Sequence, residues 1–331
     1  MKKKYKWIIV FCVVCMITGC TPKIQETEDK VVLCTSFAAY DWTRQLLRGC
    51  EGIRCELLVD TGVDLHSYQP TAQDIMRIAN CDVLIYVGGE SDTWVKTAME
   101  QSGNKDIISF GLMELVGDLA LDEVHIGEHA HHHEHEGHEE HADMEEEIEK
   151  DEHVWLSFTN AKACCKKLAG VLSELQPSQT KQIQQNLTQY QSVLSDLDLQ
   201  LEQVVSKGKK DMILIADRFA FLYLLNDYDL GYHAAFSGCS ADAEVDVSTV
   251  TDLVDDLRNE QLSVIFVADN SPTDLADTII ESAGMDVEVL RLYSMQGVNA
   301  EEIDKGNTYV SYMKENICSL AKALESEFTD F

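Results

Sequence analysis

The chain has 331 residues, with 58 Asp and Glu against 26 Lys and Arg, a formal net charge of −32 at pH 7. Binding a phosphate backbone requires basic surface, so this balance excludes nucleic acid as a natural partner and makes cations the natural counterpart. With 45% hydrophobic residues and more length than one core usually serves, the chain is expected to form two lobes.

The N-terminus carries Lys2, Lys3, Lys4 and Lys6, an apolar run from Trp7 to Ile17, and then Thr18-Gly19-Cys20. A basic start, an apolar stretch too short to span a bilayer and small residues at a cut site describe an export signal over residues 1–19. The small pair before Cys20 resembles the bacterial lipobox, which makes Cys20 the expected lipidation site and first mature residue. Residues 20–30 then read as a polar tether holding a globular body off the outer face of a bacterial membrane, stably anchored if two or more acyl chains are attached. Removing residues 1–19 takes away four lysines and no acids, so −32 becomes −36.

Residues 31–157 read as a first α/β lobe. Short apolar runs at Val31 to Cys34, Cys55 to Val59, Val83 to Val87 and Ile107 to Phe110 are predicted strands, and Trp42 to Leu47 and Ala72 to Ile78 are predicted helices. Strand, helix, strand in series implies a parallel sheet covered on both faces.

Within this lobe, residues 122–152 hold fourteen Asp plus Glu against one Lys, and they predict a solvated loop. The loop carries His125, His129, His131, His132, His133, His135, His138 and His141. Neutral imidazole is the commonest protein donor to zinc, copper and nickel, so the segment points to loose metal capture. Many weak sites on a mobile loop give little geometric selection, and an inert low-complexity spacer has the same composition.

Residues 158–206 read as two linker helices, Asn160 to Leu175 and Ser178 to Val205, punctuated by Pro177. Residues 207–331 repeat the α/β pattern. Met212 to Ala216, Val264 to Val267 and Val287 to Leu292 are predicted strands, with helices at Ser248 to Asn259, Thr273 to Ser282 and Thr308 to Leu324. The fold class is therefore α/β, two parallel-sheet lobes with a cleft between them, and open parallel sheets bind ligands beyond the carboxyl ends of their strands.

Eight cysteines follow Cys20; in an oxidising exterior they could pair, Cys50 with Cys55 closing a short loop around Glu51-Gly52. No CxxC occurs among them, which disfavours a thiolate zinc ribbon, and Cys34 and Cys81 read as buried free thiols.

Four positions lie at predicted strand ends or helix starts and carry chemistry: His66, His153, Asp217 with Arg218, and Asp269. A lone histidine is more often a surface or capping residue than a ligand. The export signal, the lipobox and the His-rich segment turn that balance toward ligation for His66 and His153.

Asp64-Leu65-His66-Ser67-Tyr68-Gln69-Pro70-Thr71 resembles the D-P-H-x-Y-x-P-T motif, and His153-Val154-Trp155-Leu156-Ser157 the H-x-W-L-(S/D)-P motif, of the bacterial zinc and manganese ABC-transporter solute-binding proteins, the ZnuA-like and AdcA-like lipoproteins. The similarity extends to Thr35-Ser36-Phe37 and onward over the mature chain. It implies two α/β lobes joined by a long rigid helix, here the one following His153, with a metal site in the inter-lobe cleft. It implies His66 and His153 as ligands from the first lobe, and as partners a membrane permease with its cytoplasmic ATPase. The second lobe departs from the pattern. Arg218-Phe219-Ala220-Phe221-Leu222-Tyr223 stands where the family has H-x-A-F-x-Y, and arginine cannot ligate a cation. The family's fourth ligand, an acid, falls near Ser294-Met295-Gln296, where no acid stands. Asp217 is the expected substitute ligand; His233 imitates the missing motif but follows a turn-like Asp229-Leu230-Gly231. Arg218 is free to pair with a carboxylate across the cleft.

The expected protein is a monomeric, lipid-anchored, extracytoplasmic receptor that binds Zn2+ and delivers it to a permease. Its zinc shell is completed by Asp217, water or a loop histidine. Mn2+ or Fe2+ is the alternative cargo, disfavoured because imidazole suits zinc better than these harder ions. A scavenging or adhesive lipoprotein with a degenerate cleft is a further reading, motivated by Arg218 and Met295. A zinc hydrolase is the reading from another class; no H-E-x-x-H occurs in the chain, and an enzyme is not expected.

Overall fold

Two four-stranded parallel sheets, ordered β2-β1-β3-β4 and β6-β5-β7-β8, form the two lobes of a computed structural model that describes residues 29–124, 149–238 and 247–328. The export segment, Cys20, Cys239 and all eight loop histidines lie outside the described residues. The first lobe runs β1 Lys30–Cys34, α1 Phe37–Leu46, β2 Ile53–Leu57, α2 Ala72–Ala79, β3 Val83–Tyr86, α3 Thr93–Ser102, β4 Ile108–Gly111 and α4 Leu112–Val116. Two helices follow, α5 Phe158–Leu175 and α6 Thr180–Ser206. The second lobe runs β5 Met212–Arg218, α7 Leu222–Asn226, β6 Gly231–Phe236, α8 Val247–Asn259, β7 Val264–Ala268, α9 Asp274–Ala283, β8 Glu288–Leu292, α10 Ala300–Asp304 and α11 Tyr309–Ala323.

All the strand pairs are parallel, so each sheet needs crossover helices and buries its strands, as the near-continuous apolar runs of β1, β3, β5 and β7 require. In both sheets the chain enters the middle and then builds outward on both sides, which puts the topological switch point beside the ends of β1 and β5.

The structure departs from the sequence reading at three places. β6 is an edge strand, open to solvent in its first half and buried only at Ala234 and Ala235, and it starts directly from the turn-like Asp229-Leu230-Gly231, which gives no sign of a strand. β5 continues to Arg218, so Asp217 and Arg218 are the last residues of a strand and not its successors; the backbone pairing of Arg218 with Phe236 carries it that far. The thiols of Cys50 and Cys55 are both free, and Cys55 Sγ lies 3.8 Å from Cys34 Sγ on the neighbouring strand.

The helix that enters the second lobe is α6, with α5 folded back against it. The role assigned to the helix after His153 is thus shared by a hairpin of two helices. Over its 27 residues, roughly 40 Å at about 1.5 Å per residue, α6 buries Ile183, Leu187, Tyr190, Leu194, Leu197, Leu201 and Val204. Steps of four and three keep that stripe on one face, against α5, α1 of the first lobe and α11 of the second. The lobes therefore share the larger of two cores, while a second cluster around Leu214, Leu257, Ile265 and Val267 belongs to the second lobe alone. Trp42 packs edge-on to Tyr309 at 5.3 Å, the Tyr309 hydroxyl donates to the Trp155 carbonyl at 2.7 Å, and Trp155 Nε1 donates to the Ser294 carbonyl at 2.8 Å.

The turn after β2 is built by its own polar residues. Asp64 Oδ1 accepts the His66 amide at 2.9 Å and caps a single 3-10 turn, Leu65–Ser67. Thr71 and Asp74 form a reciprocal capping box at the start of α2, and Asp74 Oδ2 also accepts the Tyr68 hydroxyl at 2.7 Å. Burial pushes the Asp74 carboxyl up, but the hydrogen bonds from Tyr68 and Thr71 outweigh it and hold the group below the usual carboxylate range.

A depressed folded-state pKa means that this carboxylate contributes stability above the unfolded value of about 4, and that the contribution disappears as pH falls through the lower folded value. Asp74→Asn should cost about 1–2 kcal/mol in urea unfolding at pH 7, with the difference from wild type shrinking as the pH is lowered below about 4. A gap between the two proteins that stayed constant down to strong acid would contradict the assignment.

Candidate metal centre

His66 and His153 are 87 residues apart in sequence, and their Nε2 atoms lie 3.4 Å apart. Two nitrogens each about 2.05 Å from a tetrahedral zinc are separated by about 3.3–3.4 Å, a spacing that this pair matches. The rings are tilted by 55°, with centroids 5.3 Å apart.

His153 is wholly buried at the end of the acidic segment, in Asp151-Glu152-His153, all three residues being inaccessible. Asp151 Oδ1 accepts both the His153 amide at 2.8 Å and the ring Nδ1 at 3.0 Å. An ionised carboxylate only accepts, so Nδ1 carries the proton and Nε2 presents its lone pair toward His66. Asp151 is itself held through its carbonyl, which accepts the Tyr223 hydroxyl at 2.9 Å. Behind His66, Glu152 Oε2 stands 3.9 Å from Nδ1, and Glu152 is fixed by the amide of Ser91 at 3.0 Å and by its hydroxyl. Each ring thus has a carboxylate at its rear, the usual support of a metal-binding imidazole.

Burial, and then the facing ring of His153, push the His66 imidazole below its ordinary pKa. Burial also opposes the charged form of His153, but Asp151 outweighs it and moves that imidazole up. When one proton enters the pair, it goes to His153.

From the second lobe the structure brings Gln296, which the sequence reading passes over. Its side-chain amide nitrogen is 2.7 Å from His153 Nε2. The available signal is its place in the turn after β8 where the family carries an acid, but a neutral amide does not stand out there as a donor. Asp269, just past β7, shapes that turn, accepting from Ser294 N at 3.2 Å, Ser294 Oγ at 2.8 Å and Met295 N at 3.0 Å. Met295 adopts φ +63°, a left-handed conformation that these bonds to Asp269 help hold.

Asp217, the expected substitute ligand, is committed elsewhere. Its two oxygens accept the amides of Arg218 at 2.8 Å and of Ala268 at 2.9 Å, tying β5 to β7. Arg218 Nη2 donates to Asp64 Oδ2 at 2.6 Å, the charge-assisted pairing across the cleft for which its position left it free. His233 lies exposed on edge strand β6, with Nδ1 paired to Asp256. Among the described residues no three His, Cys, Asp or Glu side chains converge to hold a metal ion.

Two small cavities flank the histidines. One of about 130 Å³ is lined by Asp64, Arg218, Asp269, Ser294 and Gln296; the other, of about 220 Å³, by His66, Glu90, Glu123, Glu149 and Glu152. The acidic segment leaves and re-enters at the lip of the second, where the Glu123 amide donates to the Glu149 carbonyl at 2.9 Å and Asp151 N to the Leu121 carbonyl at 3.0 Å. Loops of the two lobes meet beside the first, through a Thr61–Asn299 bridge and the Ala300 amide donating to the Asp60 carbonyl at 2.9 Å. A Cβ on Gly297 would meet the Gly62 carbonyl oxygen at 3.1 Å, a tight approach that glycine relieves.

Comparison with known proteins follows the same lines. The profile of the family described as ZnuA, zinc-uptake complex component A periplasmic, matches residues 32–323. The zinc-binding lipoprotein AdcA of Streptococcus pneumoniae R6 is 25% identical over 328 residues, 98% of this chain and 62% of AdcA, so the chain spans less than two thirds of that relative. The high-affinity zinc uptake system protein ZnuA of Bacillus subtilis 168 is 29% identical over 297 residues, 89% of this chain and 88% of the relative. Among solved structures, Zn(II)-bound AdcA from Streptococcus pneumoniae aligns with a TM-score of 0.69 at 24% identity, over 91% of this chain and 59% of that one. The periplasmic zinc-binding protein TroA from Treponema pallidum aligns at 0.71 and 20% identity, over 89% and 99%. At such identities the structural likeness establishes the two-lobed fold, and the profile match across both lobes establishes kinship: the chain belongs to the ZnuA family of zinc-uptake component A proteins.

Proposed function

We propose that the protein is an extracytoplasmic receptor that binds one zinc ion between its lobes through His66 and His153 and delivers it to the permease of an ABC importer. The observation that carries this reading is the 3.4 Å separation of two buried Nε2 atoms, one of them fixed as a lone-pair donor by Asp151. The names of the relatives, a zinc-binding lipoprotein and a zinc uptake protein, support zinc as the cargo. The chemistry agrees, because imidazole donors favour zinc over Mn2+ or Fe2+.

A receptor also fits the nearby acids better than an enzyme does. Asp151 and Glu152 are engaged with the rings and with Ser91, which leaves neither poised to take a proton from a bound water. Ligands from the first lobe and contacts from the second let zinc bias the arrangement of the lobes, which a permease can read. The histidines between 125 and 141, tethered at the lip of a cavity that ends on His66, would raise the zinc concentration where it is needed. Lipidation of Cys20 would keep the receptor beside its permease, acting as a monomer.

A variant lacking residues 125–141 should retain one tight zinc equivalent in calorimetric titration, and His66→Ala or His153→Ala in that background should abolish it. Retention of the equivalent by either alanine variant would overturn the site. Because Asp151 moves His153 upward, protons begin to compete for its ring above the ordinary imidazole range, and zinc affinity should fall steadily as the pH drops into and below that range. A dissociation constant unchanged between about pH 7.5 and about pH 5.5 would rule out imidazole ligation. Equilibrium dialysis against equal zinc and manganese should retain zinc, and preferential retention of manganese would reverse the cargo assignment. Cys20→Ser should move the protein from the membrane fraction to the soluble extracytoplasmic fraction; continued membrane association would argue against a lipid anchor.

A further inference from the structure

We propose that Gln296 supplies the third metal donor through its side-chain oxygen, and that the resulting carboxylate-free donor set makes the cleft discriminate against hard dications. This rests on the receptor reading and specifies the chemistry of the same site. The Gln296 amide already touches His153 Nε2, the nitrogen whose lone pair faces His66. Its nitrogen and oxygen exchange places by a half-turn of a soft terminal torsion. With no ion between the rings the NH2 group donates to the lone pair. With an ion there the oxygen turns inward, and the amide and ring separate from 2.7 Å to a polyhedral edge of about 3.3–3.4 Å.

The carboxylates that could compete for this corner are engaged. Asp64 holds the His66 amide and Arg218, Asp151 holds His153, Asp217 holds two backbone amides, Asp269 holds the turn that carries Gln296, and Glu152 lies on the Nδ1 side of His66, held by Ser91. The inner donors are then two imidazoles and an amide, all neutral, with water or another exogenous group at the fourth corner. Manganese and iron(II) gain most from anionic oxygen and gain little here, whereas zinc is well served by nitrogen. Arg218, paired to the cap of the His66 turn, adds positive charge on the second-lobe side, where a carboxylate would otherwise strengthen binding of a hard ion.

The test uses the mature chain, with residues 125–141 deleted in a parallel set to remove competing imidazoles. Zinc and manganese affinities are measured by competition titration, and the Co2+-substituted protein is read by visible absorption, for wild type, Gln296→Ala and Gln296→Glu. Gln296→Ala should weaken zinc binding by at least about tenfold and shift the cobalt bands, and Gln296→Glu should lower the zinc-over-manganese ratio by about tenfold or more. Thermal unfolding of the metal-free variants, expected to match wild type, keeps a folding defect from imitating the result. Unchanged zinc affinity and an unchanged cobalt spectrum in Gln296→Ala would overturn the proposal. His66→Ala in the same titration separates the two levels. If that variant loses the tight equivalent while Gln296→Ala keeps it, only the role of Gln296 fails; if His66→Ala keeps it, the receptor site fails as well.

Discussion

The cleft is organised around one buried contact, between Nδ1 of His153 and Oδ1 of Asp151 at 3.0 Å. An imidazole sealed from water has three options, and the carboxylate behind it chooses among them: it fixes the tautomer, points the Nε2 lone pair forward and keeps the ring from rotating. Against that fixed nitrogen the rest of the centre is arranged. His66 arrives from the turn after β2, Gln296 from the turn after β8, and the 3.4 Å and 2.7 Å contacts they make both end on the same atom. The carbonyl of Asp151 accepts from Tyr223, in the second lobe, so even this first-lobe histidine is oriented by a group from across the cleft.

Much of this is legible in the chain because it is local chemistry. Apolar runs give away seven of the eight strands, since buried parallel strands cannot hide their composition. The turn carrying His66 announces itself through residues that cap, stiffen and staple it: Asp64, Tyr68, Pro70 and Thr71. What stays hidden is tertiary or neutral. β6 is an edge strand whose exposed first half, Gly231 to His233, carries glycine and polar groups, so only the short Ala234-Ala235-Phe236 stretch is apolar. Asp217 looks like a spare oxygen donor at a strand end, but the strand continues past it, and two backbone amides claim its oxygens. Gln296 carries no charge and no motif; only its distance from His153 gives it a role. The pairing of Arg218 with Asp64 spans 154 residues, and at the sequence level it reads only as an arginine free to seek a carboxylate.

Asp64 parallels Asp151, because each serves both a histidine and the opposite lobe. One oxygen of Asp64 caps the turn that presents His66, and the other takes the guanidinium of Arg218 from the end of β5. A displacement of the second lobe is therefore felt at the turn that carries His66, even though Arg218 cannot itself touch a cation. The cap thus ties the His66 turn to the second lobe, separately from any group of that lobe that faces the rings directly.

Magnitudes indicate how far that coupling reaches. The Arg218–Asp64 pair is partly solvent-exposed, with about a third of the arginine side chain and a fifth of the aspartate accessible, so its net contribution is of order 1 kcal/mol or less and is weakened by salt. The shared core contributes more. Trp42, Trp155 and Tyr309 are each almost wholly buried where the lobes meet, and burial of one such side chain is worth about 2–3 kcal/mol. The apolar contact therefore sets how closely the lobes sit, while the ion pair and the Thr61–Asn299 bridge set their register at the rim.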